Sequence, residues 1–308
     1  MADLIATHAE LARIGVDKFF PAFDANPDQY WQQVGWHTEM TTQEFKRMYQ
    51  RGDFPLGTVV TESSPIPISS PWTGYNKDYY WAKRGIGYKC SYEKLETDQY
   101  NIVAKTVSEG MAMAMQETKE STAANVFNNA TSTATPYVGP DGVALVSASH
   151  PYNGGTFSNL GTGASNTNVD LAADTLEDAI AKMLEGKSRE GKPAPRRGPF
   201  KLMVPVGLVG IANRLVKSMK LPTTADNDIN WAGGQISGII VNPWLTDTDA
   251  WFLISANQAK HGLVQLTHGS RRVQKKIYEE TENVAWFMTE KWLFHHYDAR
   301  GVWGTAGA

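Results

Sequence analysis

The sequence holds a single cysteine, Cys90, so it can form no intrachain disulfide and cannot build a thiolate zinc ribbon or an iron–sulfur cluster. That fits a reducing cytosol, or a particle assembled there. It also lacks a surplus of positive charge. Its 29 Lys and Arg stand against 32 Asp and Glu, a net charge of −3, which excludes a chain that is basic throughout like many dedicated nucleic-acid binders. Any contact with nucleic acid must come from a local patch. Long apolar runs are missing too; stretches such as Gly238-Ile-Ile-Val241 are far too short to span a bilayer. The opening residues, Met1-Ala-Asp-Leu4, begin neither a basic nor an apolar leader region, so no secretory signal is expected.

What is present is ordinary globular material. Hydrophobic residues make up 42% and charged residues 20% of 308 residues, enough for one large domain or two intertwined ones. Ten Trp, twelve Tyr and eleven Phe supply large packed surfaces, in a core or between subunits.

Along the chain, Leu4, Leu11 and Ile14 have helical spacing over residues 3–14, and an aromatic stretch follows through Tyr30, Trp31 and Trp36. This first part, 1–44, reads as an arm or an ordinary first helix. Residues 45–92 read as a long β-hairpin excursion. Ile86, Tyr88, Cys90 and Tyr92 alternate with small and polar residues, and Pro65, Pro67, Pro71 and Gly74 mark an exposed tip. An excursion of this length is usually functional. Lys94 to Ala130 has no proline and only Gly110, and is rich in Ala, Met, Glu, Lys and Gln, so it predicts one long helix. Met111, Met113 and Met115 spread around it and suit helix packing better than a ligand surface.

Beyond Pro136 the pattern alternates between helix and strand: a polar loop at 154–168, a helix at 172–186, a strand from Phe200 to Val206 and a helix from Val209 to Met219. Strands follow at Ile236–Val241 and Trp251–Ser255, and residues 284–297 predict a strand covered on both faces. The fold class is α+β.

Catalytic signatures are missing. There is no G-x-x-x-x-G-K-[ST] loop, no H-E-x-x-H and no G-x-S-x-G, and Gly161-Thr-Gly163 lies in a polar loop. His295, His296 and Asp298 form the densest candidate acid–base or metal cluster, but adjacent strand histidines point to opposite faces. His150, near Ser147, is the other candidate for a hydrolase. No catalytic, cofactor-binding or metal-ligating residue is assigned. Basic charge gathers in a Pro/Gly-punctuated loop where Lys187, Arg189, Lys192, Arg196, Arg197 and Lys201 face Glu190 alone, and again at Arg271, Arg272, Lys275 and Lys276. Such a loop stays solvated, pairs with a neighbouring subunit or meets a polyanion.

The order arm, long hairpin, long helix, inserted α/β lobe and terminal strands resembles the HK97-type fold of tailed-phage major capsid proteins. Asp141-Gly-Val-Ala-Leu-Val-Ser-Ala-Ser-His-Pro151, Asn159-Leu-Gly161, Phe200-Lys-Leu-Met-Val-Pro-Val-Gly-Leu208, Asn242-Pro-Trp-Leu-Thr-Asp247 and Trp251-Phe-Leu253 resemble the Mu-type major head subunit family. The resemblance implies an N-terminal arm (1–44), an E-loop hairpin (45–92), a spine helix (93–135), an A-domain (136–258) and returning P-domain strands (259–308). It implies a subunit that assembles with itself, as hexamers and pentamers, into an icosahedral shell enclosing double-stranded DNA, with portal and scaffolding partners and no membrane. Its place is the virion capsid, after assembly in the host cytoplasm. Subunit contact is expected through Val59, Val60, Ile66, Ile68 and Trp72 of the E-loop, and through the basic loop, which alternatively touches DNA. Lys77 and Lys83 have no identifiable cross-linking partner, so no cross-link is expected. The alternatives are the shell of a cellular nanocompartment with the same fold, and a hydrolase using His150 or the His295, His296 and Asp298 cluster.

Overall fold

The computed structural model describes residues 29–306 apart from 50–53, 55, 63, 71–73, 98–101, 162–168, 197, 221–228 and 258–260. The helix expected at 3–14, Trp72 and Arg197 lie outside the described residues.

Strand β12 (Asn283–His296) organises the larger sheet. One edge pairs antiparallel with β4 (Ala82–Ser91), from Asn283↔Ser91 to Trp292↔Ala82. The other edge pairs first with β11 (Arg272–Tyr278) and then with β10 (Leu263–His268). Outside β10, β1 (His37–Thr41) runs parallel to it. The strand read at 86–92 is therefore real, but its partner lies two hundred residues away in sequence rather than in a local hairpin. Period-two alternation reveals a half-buried strand and says nothing about who pairs with it. The local hairpin is shorter: β2 (Phe45–Tyr49) pairs with β3 (Asn76–Tyr80).

The even-numbered side chains of β12 are buried along its length, while Phe287 is exposed and Thr289, Lys291 and Leu293 are half-buried. Only one face is fully covered, contrary to expectation, because the covering layer is a single helix. In place of one helix over 94–130 there are α2 (Tyr92–Glu96) and the 27-residue α3 (Ile102–Asn128), about 40 Å long at 1.5 Å per residue. Gly110 lies inside α3. Met111 and Met115 are buried in the same core as Trp286, Met288, Trp292 and Phe294, whereas Met113 faces out. The methionines thus serve packing, and one of the three is left over.

The second sheet has the order β13 (Val302–Thr305), β9 (Trp251–Ser255), β7 (Phe200–Val204), β8 (Ile236–Val241). Only β7 and β8 are parallel. Helices α4 (Ala173–Leu184), α5 (Val209–Lys217) and α6 (Trp231–Gln235) cover one face, with Leu202, Val204, Trp251 and Leu253 turned towards them. Met203, Phe252 and Ile254 alternate onto the other face and join the core beneath α3. A short ribbon, β5 (His150–Tyr152) with β6 (Gly155–Phe157), precedes this lobe. Gly262 leads into β10 at φ +71°, and a Cβ there would sit 1.9 Å from the Asp298 carbonyl oxygen, so only glycine fits.

The first described helix, α1 (Tyr30–Val34), is tied to α3 by one buried carboxylate. Glu120 Oε2 accepts the Trp31 amide at 3.0 Å, and Oε1 has no partner. Burial outweighs the amides of Trp31 and Tyr30 and lifts this carboxyl from 4.5 to about 7. The folded state therefore keeps a proton that the unfolded chain releases. The resulting stabilisation is fully present below pH 4.5 and is lost as pH rises to about 7. Urea unfolding of the subunit across this range is expected to show that decline, and Glu120→Gln is expected to flatten it. An unchanged slope in the variant would assign the decline to other groups.

Candidate assembly interface

Between β2 and β3 the chain leaves the body. Residues 56–62 and 64–70 have no helix or strand and every one is exposed. Val59 is 96% exposed and Ile68 100%, with Leu56, Val60 and Ile66 exposed beside them. The four described residues expected to make E-loop contacts are thus brought together on a segment that its own subunit does not cover. Pro65 and Pro67 lack the amide needed to join a ladder, and a turn closes at Thr61–Ser64.

Its root is built with two different faces, as alternation in a ribbon requires. Outward, Phe45 lies against Tyr80 and Arg47 grips Asp78 through two bonds of 2.6 and 2.8 Å. Inward, Met48 and Tyr79 are buried against Val264 and Leu266 of β10.

The basic loop folds back on this root. The Arg189 guanidinium stacks 3.4 Å from the Tyr75 ring centre, and Lys192 donates to the Phe54 carbonyl, so both ends of the projecting segment are touched. Arg196 Nη2 lies 3.3 Å from Asp298 Oδ2, which Arg300 also binds at 2.6 Å. Lys201 donates to the Gln33 carbonyl. Asp298 is buried. Burial alone would raise its carboxyl, but Arg300 and Arg196 together hold it below the usual carboxylate range. The expectation of a wholly solvated loop does not describe these residues: a dense set of cations next to a fold is partly neutralised by that fold. Lys187 is half-buried. In the second cluster, Arg271 reaches Glu290 at 3.5 Å, and Lys119 of α3 bonds the same carboxylate at 2.7 Å.

The histidines converge more than strand geometry suggested. The rings of His295 and His296 stack with centres 4.8 Å apart, because the His296 amide bonds back to His295 Nδ1 at 2.7 Å where β12 ends. His150 Nδ1 lies 2.7 Å from Asp141 Oδ2, and its Nε2 lies 3.0 Å from Asn159 Oδ1. All three histidines are buried, and Asp298 is committed to arginines. A hydrolytic site needs substrate access to its base. Among the described residues no group of acids, histidines and cysteine is arranged to hold a metal ion, and no helix is long and apolar enough to cross a membrane.

Sequence reasoning passed over two residues. Glu120 sits three and four residues before the buried Ala123 and Ala124, so an acid on the apolar stripe was the available signal. Asn159 was read only as part of a motif. Its amide donates to the carbonyls of Leu145, Ala299 and Val302, and its oxygen accepts the Ser147 amide at 2.8 Å, stitching three segments together. Two residues on, a Cβ at Gly161 would lie 2.4 Å from the Trp303 ring. The motif is a packing device.

Two sheets that share a core with a long helix, together with a projecting apolar segment, suit a shell-building subunit. The chain belongs to the phage capsid protein family, whose model matches residues 75–306. No curated protein matches it. It is similar to the capsid protein of a native GTA particle (12% identity, 92% of each chain covered, TM-score 0.55). It is also similar to the SrpI encapsulin of Synechococcus elongatus PCC 7942 (10% identity, 92% and 88% covered, TM-score 0.53). A third similar structure is the capsid of bacteriophage JBD30 (9% identity, 91% and 65% covered, TM-score 0.51). The fold is the HK97 type, and the protein is a major capsid protein, a structural component that associates with itself into a virion shell. These matches reach the HK97-type class and do not single out the Mu-type subfamily.

If Arg196 is neutralised within its own subunit, Arg196→Ala should lower the unfolding free energy of the dissociated subunit by about 2 kcal/mol, less than a fully orphaned buried charge because Arg300 remains. Chemical denaturation checks this. A change confined to shell dissociation, with subunit stability intact, would place the pairing between subunits instead.

Proposed function

We propose that this chain builds, as hexamers and pentamers, an icosahedral head around double-stranded phage DNA, assembled in the host cytoplasm with portal and scaffolding proteins. It carries out no catalysis there. One observation carries the reading. Leu56, Val59, Val60, Ile66 and Ile68 are exposed on either side of a turn at Thr61–Ser64, on one projecting segment with an ordered root. Burying one such side chain is worth roughly 1.5–3 kcal/mol. Five therefore offer on the order of 10 kcal/mol gross per contact before the costs of ordering. A free monomer would hold that apolar surface in water, and a neighbouring copy removes it.

The basic loop acts first as a brace for this segment through Arg189 and Lys192, while Arg196 and Lys201 have partners in the body of their own subunit. Contact with a neighbour or with packaged DNA is then left to the charge that stays at the surface. The encapsulin likeness supports a second reading, a nanocompartment shell with a protein cargo in place of DNA. Family membership favours the phage head.

Deleting residues 62–74 is expected to leave a folded subunit that forms no closed shells, checked by circular dichroism and negative-stain microscopy. Closed shells from the deletion variant would remove the assembly role. Loss of the fold would show that the segment belongs to the core.

A further inference from the structure

β3 carries the chain back from the projecting segment, and the end of β12 holds it down. Tyr79 OH donates to the His296 carbonyl at 2.8 Å, and its ring meets the His295 ring edge-on with centres 4.7 Å apart. Lys77, on the same strand, donates to the Val138 carbonyl and feels the charge of Asp141. Because His295 Nδ1 accepts the His296 amide, its proton sits on Nε2, which donates to the Pro136 carbonyl. The ring is neutral in this arrangement. His296 stacks upon it, and its Nε2 is buried with no hydrogen-bond partner.

The ionisable groups facing these two rings are Lys77 and Tyr79 from β3, His150 from β5, and Asp141 from the turn before β5. Asp141 already serves both His150 and Lys77. A proton added to either ring therefore brings unbalanced positive charge into a buried space beside Lys77. On His295 the new proton lands on Nδ1. There it removes the acceptor for the His296 amide; the new donor faces the His296 carbonyl, 2.9 Å away, a contact that favours the charged ring but sets it beside Tyr79 on the same oxygen.

We propose that this cluster is an acid-released latch: protonation of His295 and His296 frees Tyr79 and Lys77, and with them the root of the projecting segment, while the body of the subunit stays folded. Burial depresses both imidazoles: it takes His295 from 6.5 to about 4 against the opposing pull of the Pro136 and His296 carbonyls, and it takes His296 well below its ordinary value with His295, His150 and Lys77 adding to the effect. The released form thus takes up protons that the closed form refuses. The latch is fully closed above pH 6.5 and weakens as pH falls towards about 4. Glu120 acts with the opposite sign, so only a local measurement separates the two. The consequence for shells rests on the intersubunit reading of the segment; the latch does not.

Amide hydrogen exchange on the full-length subunit, corrected for intrinsic rates, tests it from pH 7 to pH 4. Protection of β3 (76–80) is expected to fall at least about tenfold across this window while β9 (251–255) keeps its own. Tyr79→Phe should lower β3 protection already at pH 7. Lys77→Met keeps the stem, removes the neighbouring charge and should shrink the acid step. β3 protection that does not respond to pH, simultaneous loss in β3 and β9, or an undiminished step in Lys77→Met would each overturn the latch. Because no shell is scored, its failure is distinct from failure of the assembly role, which the deletion variant reads.

Discussion

The structure depends on satisfying both edges of β12. A 14-residue strand carries its amides and carbonyls on two sides, and those inside the protein must find partners. One edge is met by β4, from early in the chain, and the other by β10 and β11 just before it. This ladder links the start of the chain to its end, and α3 closes it from one side with Met111 and Met115 in the same core as Trp286 and Trp292. Both ends of the projecting segment are anchored to it as a result. β2–β3 lies against β10, and β4 continues directly from β3 into the ladder.

Polar groups then fix angles that apolar packing leaves loose. Lys119 and Arg271 meet on Glu290, crossing from helix to strand, and Arg196 and Arg300 meet on Asp298 just beyond β12. Such buried pairs add little net stability over well-packed apolar side chains, yet losing one partner is costly. Their value is in geometry. The projecting segment has no packing of its own, so its direction is set by Arg189 and Lys192 at its ends and by Tyr79 and Lys77 at its root.

The sequence made much of this legible. Residues 200–204, 236–241 and 251–255 were visible as strands because β-branched and aromatic residues cluster between turn signals, and the structure gives bounds close to those expected. The helix at 173–184 followed from Leu176, Ile180 and Met183. What stayed hidden were relations between distant residues. Nothing local in Ile86, Tyr88 and Cys90 names Trp286 and Val284 as neighbours. Likewise, the positive charge of 187–201 was visible but its burial against Asp298 was not, since Asp298 stood in a cluster read for its histidines. Charge patterns report composition, and only the fold assigns partners.

An exposed apolar segment also constrains how such a subunit is made. Non-directional burial would let these segments associate in any order, giving aggregates as readily as shells. Prolines limit that hazard, because Pro65 and Pro67 keep Ile66 and Ile68 from offering a continuous strand edge to another chain. The ordered root limits it further by holding the segment in one direction, so that contacts agreeing with closed symmetry can be repeated around a shell. A weak contact used many times can then close a particle, while the same contact made once at a wrong angle stays reversible. Precision at the root and looseness at the tip are therefore complementary requirements, and a device that alters the root changes which assemblies the tip can reach.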